Sequence, residues 1–241
     1  MSQKYPGGFI TKSPVAPTSS AASGMWTIDQ AMQLQKQGLW PSPPIPPPTV
    51  IGQAYAGGYY AGQIGVSSVA THYIVIGPVA SAQVTNTNWQ TSNTSTAGTS
   101  SVIDGPSNSA AMNDAAHPAA FFCEGLSVGG FSDWYLPAKN ELEICYYNLK
   151  PTTANNNTSS GTNTNAVPSR GSNYTTGTPS QTSATDFLTG NSQSFVGGVS
   201  YWTSTENAAN KAWVQYFPNG NQLPNYKASS YIARAIRRVA V

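Results

Sequence analysis

The sequence predicts an α+β fold carried on an extended N-terminal arm. Three observations predict it. Two helical apolar stripes lie mid-chain, each opened by a proline; short strand patterns flank them on both sides; and the first fifty residues offer almost nothing to bury.

Residues 1–49 read as the arm. Gly7-Gly8, Ser13-Pro14-Val15-Ala16-Pro17 and Ser19-Ser20-Ala21-Ala22-Ser23-Gly24 carry no apolar periodicity. Within them, residues 27–37 predict one short amphipathic helix. Thr27 followed by Gln30 is a capping-box pattern, and Gly38 supplies a stop. Ile28, Met32 and Gln35 share one side, with Leu39 and Trp40 just beyond. A helix this short needs a surface to dock on. Pro41-Ser42-Pro43-Pro44-Ile45-Pro46-Pro47-Pro48 then predicts a semi-rigid polyproline spacer and a domain boundary.

Residues 50–241 read as one domain. Residues 57–62 and 71–77 predict neighbouring strands, the second apolar on both faces and therefore central. Residues 81–110, mostly Ser, Thr, Asn and Gly, predict loops or edge strands with Trp89 as their anchor. Pro118 opens the first domain helix, with Phe122, Cys123 and Leu126 as its stripe. Pro137 opens the second, with Leu142, Cys145 and Leu149; Glu141 and Glu143 favour its positive end and Lys150 its negative end. The polar stretch 151–186 is too long for a bare loop, so it should be functional or ordered against a neighbour. Strands follow around 200–204, 211–217 and 231–239, with Asn219-Gly220 as a turn. Arg234, Arg237 and Arg238 read as one side of a surface strand.

Composition narrows the function. Only 8% of residues are charged, against about a quarter in ordinary soluble domains, so the surface must be built from neutral polar groups. A net charge of +2 is too small to imply nucleic acid as a partner, which would need a clustered basic field. No apolar run approaches the ~20 residues of a membrane span, and the first residues hold no secretory core, which predicts a protein kept in a cytoplasm or exported without that signal. Cys123 and Cys145 are too few for a disulfide framework and read as buried free thiols.

No catalytic or metal constellation emerges, and no cofactor is implied. His72 and His117 lack ligand neighbours at metal spacing. Asp133-Trp134-Tyr135-Leu136-Pro137 reads as a helix cap and core anchors. The candidate for ligand binding is the C-terminal polar and aromatic segment. Alternation puts Lys211, Trp213, Gln215 and Phe217 on one face, and Ala212, Val214 and Tyr216 on the other. Glu206, Asn207, Asn210, Asn219, Asn221, Gln222, Asn225 and Tyr226 flank them with groups suited to saccharide or adaptable protein recognition.

The second half carries recognisable wording. His117-Pro118-Ala119-Ala120, Gly129-Gly130-Phe131-Ser132-Asp133-Trp134-Tyr135-Leu136-Pro137 with Glu141-Leu142, Tyr201-Trp202-Thr203-Ser204-Thr205-Glu206 and Arg234-Ala235-Ile236-Arg237-Arg238-Val239 together resemble the DUF1566 family, over roughly residues 70–241. That family is akin to the C-type-lectin-like domains of phage and bacterial surface proteins. The resemblance implies two helices packed on twisted, mostly antiparallel sheets. Glu206 and Asn207 lack the Glu-Pro-Asn and Trp-Asn-Asp wording of calcium-dependent lectins, so calcium is not implied. The leader, Gly-Gly-Phe-Ile through Ala-Ala-Ser-Gly-Met-Trp-Thr to Gly-Leu-Trp-Pro, is similar to that of cyanobacterial and marine phage virion proteins. The resemblances together imply a virion protein of a tailed phage, assembled in the host cytoplasm. Its expected role is a tail-fibre or baseplate adhesin that binds a host surface glycan or protein. A decoration or cement protein is the alternative. Partners would be other virion proteins, reached through the arm, and further copies in a homotrimer, with no nucleic acid and no membrane insertion.

Overall fold

The computed structural model describes residues 27–36 and 46–241. The chain divides into two units, Met1–Pro46 and Pro47–Val241. In the first, α1 (Ile28–Lys36) forms where the capping pattern predicts it. The Thr27 N–H donates to Gln30 Oε1 at 3.0 Å, and the Gln30 N–H returns a bond to Thr27 Oγ1 at 3.2 Å. Ile28 and Met32 are exposed on it. Gly38, Leu39, Trp40 and the start of the proline run lie outside the described residues.

In the second unit the strands form two sheets. Strands β1 (Ala54–Tyr55), β2 (Gly58–Val66) and β3 (Val69–Ile76) open the first sheet. As predicted, β2 and β3 pair, and β3 is interior with Ile74, Val75 and Ile76 fully buried. Next come α2 (Val79–Ala82), β4 (Gln83–Thr87), α3 (Gly105–Ala110), α4 (Pro118–Glu124) and α5 (Lys139–Leu149). The last strands are β5 (Ser200–Ala208), β6 (Lys211–Tyr216), β7 (Asn221–Tyr226), β8 (Tyr231–Arg234) and β9 (Ile236–Ala240). The sheets run β1-β2-β3-β9 and β4-β8-β5-β6-β7, antiparallel except for one parallel step between β5 and β8. The fold is thus mixed α/β, mostly sheet. Residues 231–240 serve both sheets: the chain leaves one at Arg234 and enters the other at Ile236.

Several segments depart from expectation. Residues 81–110 contain β4, an edge strand as expected, and also α3, which was not anticipated. A local Asp-Gly-Pro cap explains α3: Asp104 Oδ1 accepts from the Ser107 N–H, and Pro106 sits in the first turn. Strand β7 was not anticipated either, because Pro224 disguises it; as the edge strand of its sheet it tolerates a missing N–H. The arginines are not one side of a surface strand. Arg234 is 1% exposed, Arg237 6%, and only Arg238 is intermediate. Arg234 donates to the carbonyls of Gly77 and Gln193, so it ties the crossing between sheets where backbone acceptors would otherwise be unpaired. Asp133 does not cap α5. It holds Arg237 through two bonds of 2.7 and 2.8 Å, while Glu141 Oε2 accepts the Ala138 N–H at the helix start.

Two clusters of buried side chains fill this unit. One surrounds α5: Leu142, Ile144, Cys145, Tyr146 and Leu149 meet Ile74, Ile236, Tyr201 and Phe217. The other gathers Trp89, Trp134, Trp202, Leu136 and Cys123. The two cysteines therefore sit in separate clusters, both free and buried, and burial pushes both thiols far above the usual range. Titration with a thiol reagent is expected to find them unreactive in the folded chain and both reactive in denaturant without reductant.

Candidate functional site

The predicted segment folds as the β6–β7 hairpin at the edge of the five-stranded sheet, turned at Asn219-Gly220. Its register places Lys211, Trp213 and Gln215 opposite Tyr226, Pro224 and Gln222 on one face. Ala212, Val214 and Leu223, on the other face, pack into the tryptophan cluster. The outward face carries two stacked cations: Lys211 Nζ lies 5.0 Å from the Tyr226 ring centre, and Lys139 Nζ from α5 lies 4.0 Å from that of Trp213.

Four of the eleven predicted residues, Lys211, Trp213, Gln222 and Tyr226, thus share one accessible face. Asn207 is exposed and Asn210 half-buried at the β5–β6 turn. Asn219 and Asn221 hold the far turn against the polar stretch, through the Asn157 N–H and Ser160 Oγ respectively. The other three are structural. Glu206 Oε2 accepts from the Thr96 N–H at 2.7 Å and Thr99 Oγ1 at 3.1 Å, and pairs with buried Lys227 at 3.3 Å. Asn225 is committed to the Tyr231 hydroxyl at 2.5 Å.

Gln215 is fully buried, and neither atom of its amide has a hydrogen-bond partner. Simple alternation put it on a binding face, but that end of β6 is covered, with Phe217 stacked on Phe195 at 3.6 Å and edge-on to Tyr146 of α5. Replacing Gln215 by Leu, of similar volume, is expected to raise the unfolding free energy by about 1–2 kcal/mol, read from denaturant midpoints, because an unpaired amide leaves the interior.

The recesses lie beside this hairpin, along the polar stretch. A cleft of about 380 Å³ is lined by Ile51, Tyr147, Asn148, Thr178 and Pro179 among others. A second, of about 310 Å³, shares Tyr147 and Thr178 with it and adds Arg170 and Asn173. A third, of about 120 Å³, shares Asn173 with the second and reaches Lys139, Trp213 and Gln222. Shared lining makes the three a trough running from α5 to the hairpin.

The trough's wall has almost no regular secondary structure, yet it is tied down by α5. Glu143, fully buried, accepts from Asn163 Nδ2 at 2.6 Å and the Tyr174 hydroxyl at 2.8 Å, and pairs with Arg170. Asn156 accepts from the Tyr146 hydroxyl at 2.6 Å and donates to the carbonyls of Thr175 and Pro179. Lys150, expected at the end of the helix dipole, is buried, its ammonium bound to the carbonyls of Ala154 and Pro179. Gly161 and Gly220, both at positive φ, let the Tyr174 and Tyr146 rings close against the backbone; a Cβ at either would fall within 2.4 Å of a ring atom. The Arg170 guanidinium lies 3.8 Å over the Tyr147 ring, part of the trough's lining. The length of 151–186 was the one sequence signal for this site. Tyr147, Arg170 and Lys139 gave none, because their partners are distant in sequence.

Among the described residues no group of three or more His, Cys, Asp or Glu side chains could hold a metal, and no helix is long and apolar enough to cross a membrane. His117 instead bonds Asp114 and Thr96, at the entry to α4.

Comparison with protein families gives a match, described as the Lcl C-terminal domain, over residues 79–237. The chain belongs to that family. The matched residues run from α2 into β9, so they include the whole wall, α5 and the hairpin of this Lcl C-terminal domain, and leave out β1 to β3. Comparison with curated proteins gives no match. Among solved structures, a fimbrial protein from Bacteroides ovatus is similar, with a TM-score of 0.40 and 13% identity. The match covers 77% of this chain and 44% of that protein, so the chain spans less than half of its length.

Proposed function

We propose that the chain is an attachment protein with no catalytic role, whose C-type-lectin-like domain binds a cell surface through the trough. The observation that carries this reading is the trough itself: a recessed surface of mostly neutral hydrogen-bonding groups, with two aromatic rings, Tyr147 and Trp213, beside a tethered wall. Among the described residues no Asp, Glu, His or Cys side chain lines the three recesses, and Glu143, beneath Arg170, is bound to three side chains, so no paired acid and base lines the trough.

The setting we favour is a tailed-phage particle, with the chain as a tail-fibre or baseplate adhesin of the DUF1566 type. The resemblance of the motifs and of the leader supports this. Exposed Ile28 and Met32 on α1 suit a helix that docks on a neighbouring virion protein or on further copies in a homotrimer. The test saturates host cells with recombinant protein before challenge with particles and locates the protein on those particles with gold-labelled antibody. Blocked adsorption and a tail location are expected. Undiminished adsorption with a head location would overturn the adhesin and leave the cement role.

A further inference from the structure

We infer that the two clefts flanking Tyr147 take a neutral saccharide, recognised through hydroxyl and amide groups with no net charge involved. The inference rests on the attachment reading and names the ligand class of the same trough.

Charge is the first reason. Among the described residues, the one ionisable side chain lining either cleft, apart from tyrosine hydroxyls, is Arg170. Its guanidinium is compensated by Glu143, buried beneath it, so the pair presents little net field to a ligand. An anion gains little there, and a cation finds no accessible carboxylate. Arg170 is left as a hydrogen-bond donor held flat on the Tyr147 ring. The contrast lies at the hairpin end, where the Lys139 ammonium forms no ion pair among the described residues and sits over the Trp213 ring.

The second reason is the alternation of surfaces. Ile51, Pro179 and the Tyr147 ring offer apolar area, while Ser172, Asn173, Thr178 and Gln181 offer hydroxyls and amides. A pyranose presents the same mixture, with C–H faces and equatorial hydroxyls. The third reason is placement. Neutral hydrogen bonds select a ligand only when the donors and acceptors are already ordered. Asn173 Oδ1 is fixed by Thr162 Oγ1 at 2.7 Å, and the wall is tied to α5 through Glu143 and Asn156.

The test is calorimetry of the full chain with tri- to pentasaccharides of N-acetylglucosamine, mannose and galactose. Uronate-containing and sulfated oligosaccharides of equal length serve as comparison, in about 50 and about 500 mM NaCl, a range over which screened charge contacts weaken strongly. At least one neutral series is expected to bind, with a dissociation constant that changes less than about twofold between the two salts. Tyr147→Ala should weaken it by about tenfold or more, the size of one lost stacking contact. Ser172→Trp, which fills the cleft from an exposed loop position, should do the same with an unchanged melting temperature. Phe121→Ala, at an exposed α4 side chain that lines none of the three recesses, should leave it unaltered. Binding confined to the charged oligosaccharides, silence of the whole neutral panel, or neutral binding indifferent to Ser172→Trp overturns the inference. Cell attachment is scored separately. If Ser172→Trp attaches normally, the inference fails and the attachment reading stands. If neutral sugars bind as described but the wild type attaches to no cell, the attachment reading fails alone.

Discussion

Replacing Glu143 by Ala is expected to lower the unfolding free energy by about 3–5 kcal/mol, because it strands the buried partners of a buried charge. Arg170, 14% exposed at its side chain, loses its counter-ion, and Asn163 and Tyr174 lose their acceptor. The wall of the trough should loosen before the rest of the domain, so limited proteolysis ought to cut within 151–186 under conditions that leave the wild type intact. Adding Arg170→Met to Glu143→Ala should recover part of the loss, since an apolar pair replaces an unpaired charge. A double variant no more stable than the single one would show that the carboxylate, and not the ion pair, organises the wall. The pH dependence has a definite sign. Burial pushes the Glu143 carboxyl above the usual range, with Arg170 and its hydrogen bonds pulling the other way. A carboxyl whose folded value is raised contributes most below its unfolded value of about 4.3, and its contribution falls as pH rises through the folded value. The stability gap between wild type and Glu143→Gln is therefore expected to shift against the wild type from about pH 4 towards neutrality.

Trp202→Ala should have an effect of similar size by a different route. Trp202 is fully buried on β5, the strand between β6 and β8, and its Nε1–H donates to the Thr87 carbonyl at 2.9 Å. Its ring meets that of Tyr231 edge-on at 5.0 Å. Truncation opens a cavity and orphans an acceptor, at about 3–5 kcal/mol. That should lower the melting temperature by roughly 6–20 °C for a domain of this size, measured by calorimetry. Phe121→Ala, at a side chain 52% exposed on α4, is the control and should change stability by about 0.5 kcal/mol or less.

Much of the fold could be read in the residues because its signals are local. The Thr27/Gln30 cap, the proline that opens α4, the central strand β3 and the Asn219-Gly220 turn each depend on neighbours within a few positions, whereas Pro137 precedes the N-cap of α5 and does not open it. What escaped depends on distant partners. Three clustered arginines look like a surface stripe until Arg234 finds Gly77 and Gln193, and Arg237 finds Asp133. The candidate site was legible by half for the same reason. The outward face of the hairpin follows from alternation, and so Lys211 and Trp213 were found. Gln215 follows the same alternation and is buried, because coverage by other elements decides exposure and periodicity alone does not show it. The wall could be flagged only by its length.

Four of the carboxylates are bound in ion pairs with lysine or arginine, at Asp133, Glu141, Glu143 and Glu206. With 8% of residues charged and a net charge of +2, the chain generates only a weak field, and that has a kinetic consequence. It cannot draw a ligand in from a distance, so encounters proceed at the unsteered rate, on the order of 10⁵–10⁶ M⁻¹s⁻¹, and hardly change with salt. Capture by one such domain is then a matter of collision frequency and dwell time. Several domains carried together lengthen the dwell without changing any single contact, because each one already bound raises the effective concentration of the next.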